Sequence, residues 1–198
     1  MTERQNMKKR LLLLLAIALP AMLPFAVQAQ NTFALKTNAL YWATATPNLG
    51  AEFAFKDKHS VQLFYGYNPW RFSERASLRH WVLQPEYRYW FCQGLNGWFV
   101  GVHLMGGEFN LGEIDLPLGI WDDLSERRYE GHYYGGGVSV GYQVPISRHW
   151  GFEASIGVGY DHIVYDKYAC GVCGERLGSG RTNYFGPTKA SLSFLYVF

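Results

Sequence analysis

An eight-stranded antiparallel up-and-down transmembrane β-barrel, formed after an export signal is cleaved, is the all-β fold that this sequence predicts. Three observations carry the prediction. The chain starts with a segment built like a secretory signal, eight later segments alternate apolar and polar residues with a period of two, and the links between those segments alternate short and long.

The signal reading rests on residues 1–29. Lys8, Lys9 and Arg10 give a positive start, the run 11–19 is apolar, and Val27-Gln28-Ala29 offers the small residue that a signal peptidase needs. A membrane anchor needs about 20 uninterrupted apolar residues, and Pro20 and Pro24 interrupt this run. Residue 30 is Gln, not Cys, so nothing points to a lipid-modified start. Residues 30–198 are then expected to form a single barrel domain. The whole chain has 18 Lys and Arg against 16 Asp and Glu; residues 1–29 hold four of the basic residues and one acidic, which leaves 14 against 15, net −1. The apparent basicity belongs to the export signal, so a nucleic-acid partner is not expected.

Taken in order, the expected strands are 32–43, 49–55, 60–67, 79–91, 98–107, 129–144, 150–165 and 184–198. Segments 32–43 and 49–55 place Lys36 and Glu52 on the polar parity. In 60–67, Val61, Leu63, Tyr65 and Tyr67 share the other face, and in 79–91 Trp81, Leu83, Tyr87, Tyr89 and Phe91 do so while Gln84, Glu86 and Arg88 oppose them. The next strands repeat the pattern with Trp98, Val100, Val102 and Leu104, and with Val138, Val140, Tyr142 and Val144. Trp150, Phe152, Ala154, Ile156, Val158 and Tyr160 follow, with Glu153 opposed. In the last strand Ala190, Leu192, Phe194, Tyr196 and Phe198 lie on one parity, with Lys189, Ser191, Ser193, Leu195 and Val197 on the other. Links at 56–59, 92–97 and 145–149 are tight; those at 68–78, 108–128 and 166–183 are long, and only Thr46-Pro47-Asn48 breaks the rule. Tight turns on one side and long loops on the other place both termini at the periplasmic side of an outer-membrane barrel.

None of the apolar faces carries a charge, whereas the opposite parity holds Lys36, Glu52, Glu86, Arg88, Glu153 and Lys189. A soluble sandwich would bury the apolar face; a membrane barrel turns it outward to lipid and encloses the polar one. The aromatics decide between the two. Phe55, Phe91, Trp98, Trp150 and Phe198 sit next to tight turns or the terminus, and Tyr67, Trp70, Trp81, Tyr160 and Tyr165 cluster near the long loops, as expected of two interfacial girdles. The ending aromatic-x-aromatic resembles the signal by which barrels are recognised for insertion, with Ser193 where glycine is usual. Eight strands leave an interior that side chains fill, so the six charges, three of each sign, are expected to form a closed network with the glutamines.

Other candidate sites are weaker. Cys170-Gly-Val-Cys173 lies in the last long loop, where a disulfide that tightens the loop is expected in an oxidising compartment. The neighbouring glycines argue against the helix a redox motif needs, and no second ligand pair supports zinc. Cys92 belongs at the opposite rim, beyond the roughly 7 Å limit for pairing. The six histidines have no metal-ligand spacing, and the carboxylates of loop 108–128 lack the regularity of a calcium loop, so neither metal nor cofactor is expected. A lipid-modifying enzyme would need Ser, His and an acid together on the lipid wall. His132 or His162 with Glu130 offers two members, but Ser139 and Ser155 take the inward parity. Trp70, Ile120 and Trp121 are the best candidates for contacting a partner.

The blocks LKTNALYWATATPNLGAEF, YGYNPW, LQPEYRYWF, EGHYYGGGVSVGY, GYDHIVYDKY and NYFGPTKASLSF resemble an uncharacterised Bacteroidetes family of small outer-membrane β-barrels, a domain of unknown function, over nearly all of the mature chain. That resemblance implies a cell-envelope role beside fimbria-like surface proteins and no catalytic residues. The expectation is a non-enzymatic barrel of the outer membrane with a structural, anchoring or surface-interaction role, whose partners are outer-membrane lipids and the insertion machinery; a lipid A deacylase-like enzyme is the alternative. Peptide mass mapping without reduction should find Cys170 joined to Cys173 and Cys92 unpaired. A peptide linking Cys92 to either loop cysteine would break the strand layout.

Overall fold

The computed structural model describes residues 32–71, 77–112, 127–169 and 174–198. The expected signal 1–29, the cysteines Cys170 and Cys173, and Ile120 and Trp121 lie outside the described residues. Eight strands follow in chain order: β1 Thr32–Asn38, β2 Asn48–Phe55, β3 His59–Asn68, β4 Ser77–Trp90, β5 Gly97–Gly112, β6 Arg127–Pro145, β7 Trp150–Ala169 and β8 Arg176–Val197. A short helix, α1 Ala39–Ala43, joins β1 to β2. Each strand pairs antiparallel with the next, and β8 returns to β1 from Ala34↔Val197 to Asn38↔Ser193, closing the barrel.

Side chains alternate between the two faces as a pleated strand requires. Ile156 is 66% exposed while Glu153, on the same strand and the other parity, is 1% exposed. The exterior carries Val61, Leu63, Val100, Val102, Leu104, Val138 and Val158, all exposed; the interior holds every one of Lys36, Glu52, Glu86, Arg88, Glu153 and Lys189, all buried. Around the end with the tight turns, aromatic rings touch in series. Phe33 meets Phe198, Phe198 meets Tyr196 and Tyr196 meets Trp150; farther round, Phe55, His59, Tyr89 and Phe91 form a second run.

The barrel is closed at that end by its own turn. Leu95 takes a left-handed backbone (φ 63°), a conformation that costs a branched residue free energy, and its side chain is buried with Trp90, Phe99, Ala34, Ala54 and Leu195. Gln143 Nε2 donates to the Leu95 carbonyl at 2.6 Å and Gly94 N to that of Asp57 at 2.6 Å, which holds the turn across the opening.

Two expectations are corrected. Residues 39–43 are helical, not the end of the first strand. Asn38 caps the helix by accepting from Leu40 N at 3.1 Å, and the helix lays Tyr41 edge-on against Phe64, ring centroids 5.0 Å apart. Parts of the predicted long loops are also strand, most of all in 166–183, since β5 runs on to Gly112, β7 to Ala169, and β8 begins at Arg176. These extensions lack regular apolar alternation because they rise above the apolar belt, where ladder hydrogen bonds with the neighbouring strand set the conformation. Strand length therefore climbs around the ring, from 7 residues in β1 through 14 in β4 to 22 in β8.

The tallest strand thus stands beside the shortest. Asn38 finishes their seam by accepting from Leu192 N and donating to the Ala190 carbonyl, each at 3.1 Å. Asn38→Ala removes a helix cap together with these two bonds, and should destabilise the barrel by about 1–3 kcal/mol in urea unfolding. An unchanged midpoint would mean that Asn38 does not hold the seam.

Candidate functional site

Arg88 projects from β4 into the middle of the barrel, and its guanidinium meets all three buried carboxylates. Nη1 donates to Glu52 Oε2 at 2.9 Å and to Glu153 Oε2 at 2.8 Å; Nη2 donates to Glu86 Oε2 at 2.9 Å and to Glu153 Oε1 at 3.1 Å. Nε adds a bond to Glu86 Oε2 at 3.1 Å. A planar fork of five N–H groups suits this arrangement, where a lysine would act as a point charge. The guanidinium lies 4.3 Å from the centroid of Phe99, so its face is covered as well.

Two lysines complete the neutralisation. Lys36 of β1 reaches Glu52 and Glu153, and Lys189 of β8 reaches Glu86. Ser60 Oγ donates to Glu52 Oε1 at 2.5 Å while accepting from Trp90 Nε1 at 2.9 Å, and Ser139 Oγ donates to Glu86 Oε1. Every carboxylate oxygen in the cluster therefore has a donor. The structure brings all six luminal charges together across β1, β2, β4, β7 and β8, with serines from β3 and β6.

Close packing fixes the small residues nearby. A Cβ on Gly101 would stand 2.5 Å from Glu86 Oε1 and 2.7 Å from Ser139 Oγ, and one on Gly141 would stand 2.4 Å from Phe99 Cζ. The sequence pattern marked the six charges and the glutamines, of which Gln143 accepts from Lys36 Nζ at 3.4 Å. It missed Ser60 and Trp90, whose only signal was inward parity beside Arg88; Ser60 lies directly across from Arg88 in the ladder.

Above the network lies a cavity of about 760 Å³ whose wall is predominantly apolar. Gln62 and Phe64 of β3, Tyr41 of α1 and Thr188 of β8 line it, with Lys36 and Lys189 at its floor. Thr188 is the extra residue of a bulge, since Gly157 pairs with Lys189 and Val158 with Pro187, and its Oγ1 is 2.9 Å from His103 Nε2.

The remaining candidates do not converge. Ser139 is engaged with Glu86 and Ser155 with Ser191 at 2.6 Å, both inside, whereas His132 and His162 lie on other parities and His162 Nδ1 is 2.7 Å from Asn183 Oδ1. Trp70 is 48% exposed at the upper rim, with its Nε1 donating to the Ala45 carbonyl. Glu108 accepts from Trp81 Nε1 at 3.0 Å and Glu130 from Asn110 Nδ2 at 2.5 Å. Cys92 is a free, exposed thiol.

A family model described as a protein of unknown function, DUF3575, matches residues 13–198. The chain belongs to the DUF3575 family. No curated protein matches it. Inside the barrel of this DUF3575 member the ion cluster holds three charges of each sign, and each of its carboxylate oxygens accepts from a donor.

Removing Arg88 leaves three buried carboxylates to two lysines. Arg88→Met should destabilise by about 3–5 kcal/mol, and adding Glu153→Gln should recover part of the loss, because breaking a buried pair costs more than replacing it. Equal unfolding midpoints for the wild type and Arg88→Met would remove Arg88 from any stabilising role.

Proposed function

We propose that the protein is an outer-membrane barrel of a Gram-negative, Bacteroidetes-type envelope, exported by a signal at residues 1–29 and serving a non-enzymatic structural, anchoring or surface-interaction role. The observation that carries this reading is the inversion of polarity, with charges enclosed and saturated while the outer wall is aliphatic between aromatic rings. A soluble protein that exposed such a belt would associate; a bilayer solvates it. The tight turns face the periplasm and the tall strands β5–β8 project outward, where Trp70 and the loops meet other surface components. Fimbria-like proteins are the proposed partners.

The lumen supports the non-conducting part of the proposal. Leu95 and its neighbours fill the turn end and the ion network fills the layer above. An aqueous channel would need a continuous polar path between them, and eight strands leave no width for one.

Five measurements test the reading. The protein should sediment with outer membranes after carbonate washing and migrate differently on a gel before and after boiling; recovery in the soluble fraction would overturn it. In intact cells a cysteine placed at Gly178, which is exposed and open, should react with an impermeant maleimide while one at Asp57 should not. The reverse pattern would invert the orientation. Planar bilayers should show no steady large conductance, and incubation with lipid A should leave its acyl chains intact by mass spectrometry.

A further inference from the structure

The climb in strand length leaves a step where β8 overtops β1. Above the bonds that Asn38 makes to Ala190 and Leu192, the edge of β8 has no backbone partner among the described residues on the β1 side. Pro187, which has no N–H to pair, and the bulged Thr188 sit at this point. The cavity lies directly behind it, because its lining includes Leu40 and Tyr41 of α1 on one side of the step and Thr188 and Ala190 of β8 on the other. We propose that this cavity is a binding site for a single-chain lipid with an uncharged, hydrogen-bond-donating head, which enters sideways from the bilayer between α1 and β8.

Size and wall fit an acyl chain. Pockets for small molecules run from about 300 to 1,000 Å³ and are mostly apolar with few polar groups, and this one has about 760 Å³. The floor sets the head. Gln62 is only 6% exposed, and its Oε1 is buried with no hydrogen-bond partner, so it calls for a donor from within the cavity. The charges beside it are already spent: Lys36 on Glu52 and Glu153, Lys189 on Glu86. A charged head would face a neutral, saturated cluster and lose its hydration without a counter-ion. A hydroxyl meets Gln62 at no such cost.

The approach is apolar as well. On the two elements that flank the step, Phe185 of β8 is 80% exposed and Trp42 and Leu40 of α1 are exposed as well. These continue the aliphatic belt up to the opening, which favours a molecule arriving in the bilayer over a polar solute descending from the mouth. The inference rests on the membrane reading above.

The test uses the full barrel in phosphatidylcholine vesicles containing a monoacylglycerol with a diazirine in its chain. After illumination, peptide mapping should find label on α1 and on residues 187–190. Gln62→Met keeps the volume but removes the acceptor, and should cut that label about five- to tenfold. Ala43→Trp should abolish it by filling the cavity, with heat-modifiable gel migration checking that the variant folds; if it does not, Gln62→Met alone decides. Label confined to belt residues such as Val100 and Ile156, or unchanged in Gln62→Met, would overturn the site while leaving the membrane reading intact. Protein that fails to insert in the vesicles would overturn both.

Discussion

Three carboxylates buried within reach of one guanidinium are the constraint around which the interior is built. A buried carboxylate is costly unless each oxygen is paired, and Glu52, Glu86 and Glu153 cannot be paired by Arg88 alone. Lys36 and Lys189 must come from β1 and β8, Ser60 and Ser139 from β3 and β6, and Gly101 must stay bare so that Glu86 can lie flat. Neutralising any one of the six charged members leaves the buried cluster with a net charge. The cluster is thus a specification of register as much as a source of stability, because a slip of one residue in any of these strands turns a charge or its serine partner outward.

That same constraint made the interior legible from the residues. Charges at one parity in segments that were otherwise apolar on the other identified Lys36, Glu52, Glu86, Arg88, Glu153 and Lys189 without knowledge of pairing, since period-two alternation needs only counting. The eight antiparallel strands followed from the same count. What parity does not contain is distance across the barrel: that Trp90 reaches Ser60, or that Gln143 reaches the Leu95 carbonyl, depends on rotamers and on a turn folding inward. Helix α1 is hard to read because Ala39–Ala43 is a short apolar and aromatic run that strand and helix accommodate alike. The competing signal was Asn38, a cap residue ahead of Ala and Leu. Strand ends were the least legible, as the upper parts of β5 to β8 are held by ladder bonds and carry little hydrophobic pattern.

Closure of the ring is unequal. The β7–β8 ladder runs from Trp150↔Tyr196 to Tyr168↔Arg176, while the β1–β8 ladder runs only from Ala34 to Asn38. A short seam is the natural place for a barrel to open, and the ion network reinforces it from inside. Lys36 leaves β1 to bond Glu153 on β7, passing over β8, so that the weakest ladder is crossed by a buried ion pair. Lys189 ties β8 to β4 across the lumen. Helix α1 ends the seam because a strand continuing past Asn38 would pair with β8 and seal the step.

The ion cluster and the cavity are in this way one design. Saturating every carboxylate consumes both lysines that face the cavity floor, and what remains there is Gln62, an amide acceptor with no donor. Had the cluster carried one more lysine, the floor would attract an anion; one more glutamate, a cation. Its balance of three against three leaves the floor polar without net charge, and the early end of β1 leaves the way in at the side. The chemistry proposed for the occupant, an apolar chain with an uncharged donor, is what a neutral floor behind an apolar doorway selects.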